Sequence, residues 1–147
     1  MKISKNISRL SLHDSHFENE ERVDSTLTLT FDWAKLENLV EFGIDEGVIL
    51  GKTVLKVIGI RNEKLKTYYE DKNCKLIDIS DNIRSYWSEV GTTEIDDKNK
   101  TLQLGGLLRK DGDCFWGEWS LNYDSCEVEW NSYITITEWQ NGKLPAD

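Results

Sequence analysis

The chain has 147 residues, 38% hydrophobic and 10% aromatic, with 27 Asp and Glu against 18 Lys and Arg, six Trp and a single Pro. This is the length and apolar content of one domain with a real core, residues 1–147, which excludes the disordered class. A formal charge of -9 opposes phosphate backbones, because nucleic-acid binders displace condensed counterions with Lys and Arg, so DNA and RNA drop out as partners.

From Met1 to Leu10 polar or charged residues interrupt the apolar ones, leaving no hydrophobic signal region. The longest apolar stretches, such as Val48–Leu50 and Val57–Ile58, are far short of the roughly 20 residues that cross a bilayer. A cytoplasmic protein without membrane contact is expected. Cys74, Cys114 and Cys126 are then expected as reduced, metal-free thiols, and no cofactor is expected.

In chain order, the first expected strand is Ser8–Phe17, which carries both histidines in Leu12-His13-Asp14-Ser15-His16. Consecutive His, Asp and Ser do not make a hydrolytic triad, because adjacent strand residues point to opposite faces. His13 and His16 lack two further donors at zinc-ligand spacing. The segment reads as a polar turn in which Asp14 and Ser15 bond the local backbone. In Thr26–Trp33, Leu27, Leu29, Phe31 and Trp33 alternate with Thr26, Thr28, Thr30 and Asp32, the period of a half-buried antiparallel strand. A short helix is predicted over Asp32–Gly43, with Asp32 as cap and Leu36, Leu39 and Val40 inward.

Strands are predicted at Gly47–Ile60 and Lys64–Tyr69. A second helix is predicted from Ser80 or Asp81 to just before Gly91, on the spacing of Ile79, Ile83, Tyr86, Trp87 and Val90. Strands follow at Thr101–Leu108, where Gly105-Gly106 marks a bulge or strand end, at Asp113–Leu121 and at Ser125–Trp139. In the last, Cys126, Val128, Trp130, Ile134 and Ile136 share a face. Trp33, Trp119 and Trp130 are assigned to the core. The fold class is mainly β: an antiparallel sandwich or partly open barrel with one or two short helices.

Charge is uneven. Lys52–Lys75 holds seven basic residues against three acidic ones, whereas 111–142 holds seven acidic residues and no Lys or Arg, together with Trp116, Trp119, Trp130 and Trp139. If Asn122–Ser125 is a four-residue hairpin loop, Leu121 pairs with Cys126, Gly117 with Trp130 and Glu118 with Glu129. Opposed carboxylates destabilise a sheet. They would either await a cationic partner or be neutralised by lysines of the 52–75 region. On the first reading Trp116, Glu118, Asp124, Glu127 and Glu129 form a partner-binding patch for a basic protein.

The Leu12-His-Asp-Ser15 opening, Phe31-Asp-Trp33, and the late Trp116-x-x-Trp119, Glu129-Trp130 and Glu138-Trp139 together resemble the small all-β immunity proteins of bacterial polymorphic toxin systems. The resemblance implies a non-enzymatic cytoplasmic protein that blocks a cognate toxin, often a basic nuclease, and it carries over no site residue. The alternative is a small-molecule or carbohydrate-binding β module, which calls for exposed Trp rings along a groove. An enzyme would instead need a cleft where His13 or His16 meets an acid from another strand.

Overall fold

The computed structural model describes residues 1–69, 73–77, 87–110 and 112–146. Among the described residues three antiparallel sheets are built from strands of two to ten residues. The first sheet runs in the order β1 (Lys2–Ile3), β13 (Ser125–Trp130), β7 (Thr53–Ile58), β4 (Thr26–Phe31), β3 (Phe17–Val23). The second runs β10 (Trp87–Asp96), β11 (Thr101–Lys110), β12 (Asp113–Asn122), β8 (Arg61–Tyr69), β9 (Asn73–Ile77). The third is small: β14 (Tyr133–Thr135), β6 (Val48–Leu50), β5 (Ala34–Leu36), β2 (Leu10–Ser11). Among the described residues no sheet closes into a barrel.

Alternation decides which side of each strand is dry. Leu27, Leu29 and Phe31 of β4, Leu55 and Val57 of β7, and Cys126, Val128 and Trp130 of β13 are buried. They share a core with Leu65, Leu102, Leu104, Trp119 and Leu121 of the second sheet and with Leu10, Leu36, Val48 and Leu50 of the third. Each such side chain contributes about 1.5–3 kcal/mol by leaving water. Phe17 joins the two larger sheets, with ring centroids 4.6 Å from Phe31, 5.5 Å from Trp87 and 6.4 Å from Trp119.

Several expected boundaries change. The Gly47–Ile60 strand breaks at Gly51-Lys52 into β6 and β7, which lie in different sheets. The Asp32–Gly43 helix is replaced by β5 and a single 3₁₀ turn at Val40–Phe42. Asp32 does not cap it, because its carboxylate accepts from the backbone N–H of His16 at 2.8 Å and of Trp33 at 2.9 Å. The first half of the helix predicted to end before Gly91 lies outside the described residues. Its second half is strand: Trp87 and Val90 stand in β10, whose register shifts between Trp87 and Glu89 and between Val90 and Thr92. These bulges bring residues three apart to the same side, and that spacing imitates a helix. Gly105 and Gly106 lie mid-strand in β11, and the bulges are in their neighbour β10.

Ser125–Trp139 is also divided. β13 ends at Trp130, β14 follows, and the chain turns into the helix α1 (Ile136–Gln140). Thr135 caps α1: its hydroxyl accepts from the Glu138 N–H at 3.2 Å while the Glu138 carboxylate accepts from the Thr135 N–H at 2.9 Å. Trp119 and Trp130 are in the core as expected. Trp33 is not, being half-buried beyond the end of β4.

Candidate functional site

The strand neighbours of β12 and β13 differ from those expected. β12 does not pair with β13; it lies between β11 and β8 in the second sheet, while β13 lies between β1 and β7 in the first. The Asn122–Ser125 link is therefore a crossover between sheets. Tyr123, 3% exposed, drops into the core, its N–H bonds the Lys100 carbonyl at 3.0 Å, and the Asp124 N–H bonds Ile58 O at 2.8 Å. Burial of that one ring redirects a link whose length also suits a hairpin. Gly117 faces Gly106 and Thr67 rather than Trp130.

The five candidate residues are consequently split. Glu127 and Glu129 lie on the outer side of the first sheet, where Glu127 is opposite Lys56 and 3.7 Å from the Lys2 ammonium, and Glu129 is opposite Lys2 and Val54. Asp124 joins two crossovers: it accepts from the Arg61 guanidinium at 2.6 Å, and Arg61 also donates to the Gly59 carbonyl at 3.1 Å. Gly59 has φ +73°, and a Cβ there would run into the Asp124 carboxylate. Glu118 stands opposite Lys66, not Glu129, and accepts from the Tyr68 hydroxyl at 3.0 Å. Lysines of the 52–75 region thus stand across the ladder from two of these acids, Lys56 from Glu127 and Lys66 from Glu118, and the expected Glu118–Glu129 opposition does not form.

Trp116 and Glu118 remain together, on the outer side of the second sheet. Directly opposed residues share a face, so Leu107, Trp116 and Tyr68 form one row across β11, β12 and β8, with Glu89 beside Leu107 on β10. The Trp116 ring lies over two glycines: a Cβ at Gly91 would stand 2.6 Å from it, and one at Gly105 2.8 Å. Two bare backbone positions therefore make a seat for a large ring. The face is open, with Leu107 37% and Tyr68 38% exposed. Glu94 and Asp96 continue the acidic side along β10, and Lys64 and Lys66 line β8. The acid at Asp96 is held below the usual carboxylate range, chiefly by the Asn99 backbone N–H that it accepts.

The histidine motif closes an edge. The Asp14 N–H bonds Val90 O at 2.9 Å, the Val90 N–H bonds Ser15 O at 3.0 Å, and His13 Nδ1 is 2.7 Å from Gly91 O, so residues 13–16 cover the outer edge of β10. The buried Ser15 hydroxyl donates to the Leu12 carbonyl at 2.5 Å and is not poised as a nucleophile. His16 does meet an acid from another strand end, Asp32, at 3.3 Å, with the imidazole largely in solvent. Among the described residues no group of three or more His, Cys, Asp or Glu side chains could hold a metal ion, and no helix is long and apolar enough to cross a membrane. Cys114 is exposed and free, Cys126 is buried and free, and the Cys74 side chain lies outside the described residues.

The Leu107–Trp116–Tyr68 row was not anticipated from the sequence. An exposed Leu or Tyr in a strand carries no signal of its own, and only cross-strand register assembles the row. Comparison with protein-family models, with curated proteins and with solved structures gave no match to this chain.

Proposed function

We propose that this chain is a non-enzymatic binding protein that docks a basic protein on the open face of the second sheet, in the manner of an immunity protein neutralising a cognate bacterial toxin. The observation that carries this reading is the row of Leu107, Trp116 and Tyr68, about a third exposed at its two ends and stiffened by a tryptophan seated on glycine backbone. Rigid aromatic side chains in a central position supply most of the energy of protein interfaces. Glu89 stands beside Leu107 at the end of the row and Glu94 lies further along the same side of β10, opposite Gln103, and neither has an ion-pair partner among the described residues. With the chain's charge of -9, they favour a cationic partner and speed its approach.

The test is growth rescue and calorimetry with a toxin domain encoded beside this chain's gene. Trp116→Ala should weaken binding by about 2 kcal/mol or more, roughly thirtyfold, and abolish rescue. Glu89→Gln with Glu94→Gln should mainly slow association and flatten its salt dependence. If the purified proteins do not associate, or both variants bind as the parent does, the reading is wrong.

A further inference from the structure

A second feature lies on the far side of the third sheet. Lys35, Ile49 and Ile134 are in register across β5, β6 and β14, on the side opposite the residues that enter the core. Helix α1 and the segment after it fold back over this side. The Ser132 hydroxyl donates to the Ala146 carbonyl, and Gly51 allows the approach, since a Cβ there would stand 3.0 Å from that carbonyl. The Lys143 ammonium is 2.5 Å from the Glu138 carboxylate at the end of α1. Between sheet and segment is a hollow of about 800 Å³ lined by Trp33, Ile49, Ile136, Trp139, Leu144 and Pro145.

We propose that this hollow binds a small amphipathic anion, with an aromatic or aliphatic body among the indoles and aliphatic side chains and a carboxylate or sulfonate at Lys35. The volume lies within the roughly 300–1,000 Å³ typical of small-molecule sites, and the lining is the usual apolar one with a few polar groups. Trp139 is 50% and Leu144 74% exposed, apolar surface that an occupant would take out of water. The anionic group is assigned from Lys35, the cation of the lining that makes no ion pair among the described residues. Asp32 already accepts from the His16 and Trp33 backbone N–H groups and faces the His16 ring. Glu18 is paired with Lys52 at 2.8 Å. Lys35 has no carboxylate partner among the described residues, so its ammonium can pair with the anionic group of an occupant, while Asp32 and the Glu18–Lys52 pair leave the rim as a whole without net charge. None of these residues belongs to the open face of the second sheet, so the inference stands apart from the docking proposal.

The probe is 8-anilinonaphthalene-1-sulfonate, with the uncharged N-phenyl-1-naphthylamine as its comparison, titrated by fluorescence into the full chain. One sulfonate should bind per chain, saturably. Trp139→Ala should weaken both compounds about tenfold. Lys35→Gln should weaken only the sulfonate, by up to about fivefold, the worth of one exposed ion pair. Leu144→Ala, on the exposed segment, gives a second apolar variant should Trp139→Ala perturb α1. Non-saturating or multiple binding, or affinities unmoved by Trp139→Ala and Leu144→Ala, would overturn the site. A sulfonate affinity indifferent to Lys35→Gln would overturn the choice of an anion.

Discussion

Replacing Arg22 by Met should expose how much one charged cluster at the edge of the sandwich holds the two large sheets together. Arg22 on β3 donates to both Glu63 carboxylate oxygens, at 2.7 and 2.6 Å, and to Glu20 at 3.3 and 3.2 Å. Its guanidinium carbon lies 5.8 Å from the centroid of the Trp119 ring, whose indole N–H donates to Glu63 at 2.7 Å. The Glu20 side chain is 3% exposed, Glu63 14% and Arg22 31%. Removing the cation therefore leaves two largely buried carboxylates without their guanidinium, although Glu63 keeps the Trp119 indole N–H. Breaking a buried pair costs about 3–5 kcal/mol, and with Arg22 a third in solvent the lower end, about 3 kcal/mol, is expected. For a chain of this size that is a fall in Tm of roughly 6–12 °C. Urea unfolding should show a lower midpoint with an unchanged slope. Adding Glu20→Gln and Glu63→Gln should restore at least half of the loss, because the uncompensated charge is gone. Glu63, by hydrogen bond and charge, raises the Arg22 pKa above its ordinary value. A raised cation stabilises fully below its unfolded pKa, so this contribution should not decay as pH rises through the range in which the protein is handled. A loss below about 1 kcal/mol, or no recovery in the triple variant, would show that the cluster is solvated and holds nothing.

Burial pushes the Cys126 thiol from 9.0 up to about 12 and the Tyr123 hydroxyl from 10.0 up to about 12. Both ionise first in the unfolded chain, so their contribution to stability should be constant from pH 7 to about 9 and fall from there towards 12, by about 1.4 kcal/mol per pH unit for each group in its window. Chemical denaturation from pH 7 to 11 checks this, and a flat profile would contradict it. Under native conditions at pH 8 a thiol reagent should modify the exposed Cys114 but spare Cys126 until the protein unfolds, as peptide mapping would reveal. Gly59→Ala combines a left-handed backbone with a collision against Asp124, and should cost about 2 kcal/mol by thermal unfolding; an unchanged Tm would mean that the paired crossovers are loose. Thr135→Ala removes half of a capping box and should cost about 1 kcal/mol, with faster amide exchange confined to α1 and the segment after it.

Much of the architecture was legible one strand at a time. The alternation in Thr26–Phe31 put Leu27, Leu29 and Phe31 in the core, and that in Ser125–Trp130 did the same for Cys126, Val128 and Trp130, because a strand turns every second side chain to one face whatever lies beside it. The Thr135-x-x-Glu138 capping pattern was also present to be read, but continued alternation to Ile136 masked it. Partners were a different matter. A four-residue link serves a hairpin and a crossover equally, and the buried Tyr123 and the Gly59–Asp124–Arg61 contacts selected the crossover. Two bulges in β10 gave Trp87 and Val90 the spacing of a helix. The candidate patch was divided for the same reason: strand neighbours are chosen by contacts between residues far apart in the chain. Residue type and period fixed which side of each strand meets water. Only packing of the sheets decided that Trp116 stands between Leu107 and Tyr68, that Glu118 faces Lys66, and that Glu127 and Glu129 lie on another sheet, because cross-strand register is a property of the assembled core.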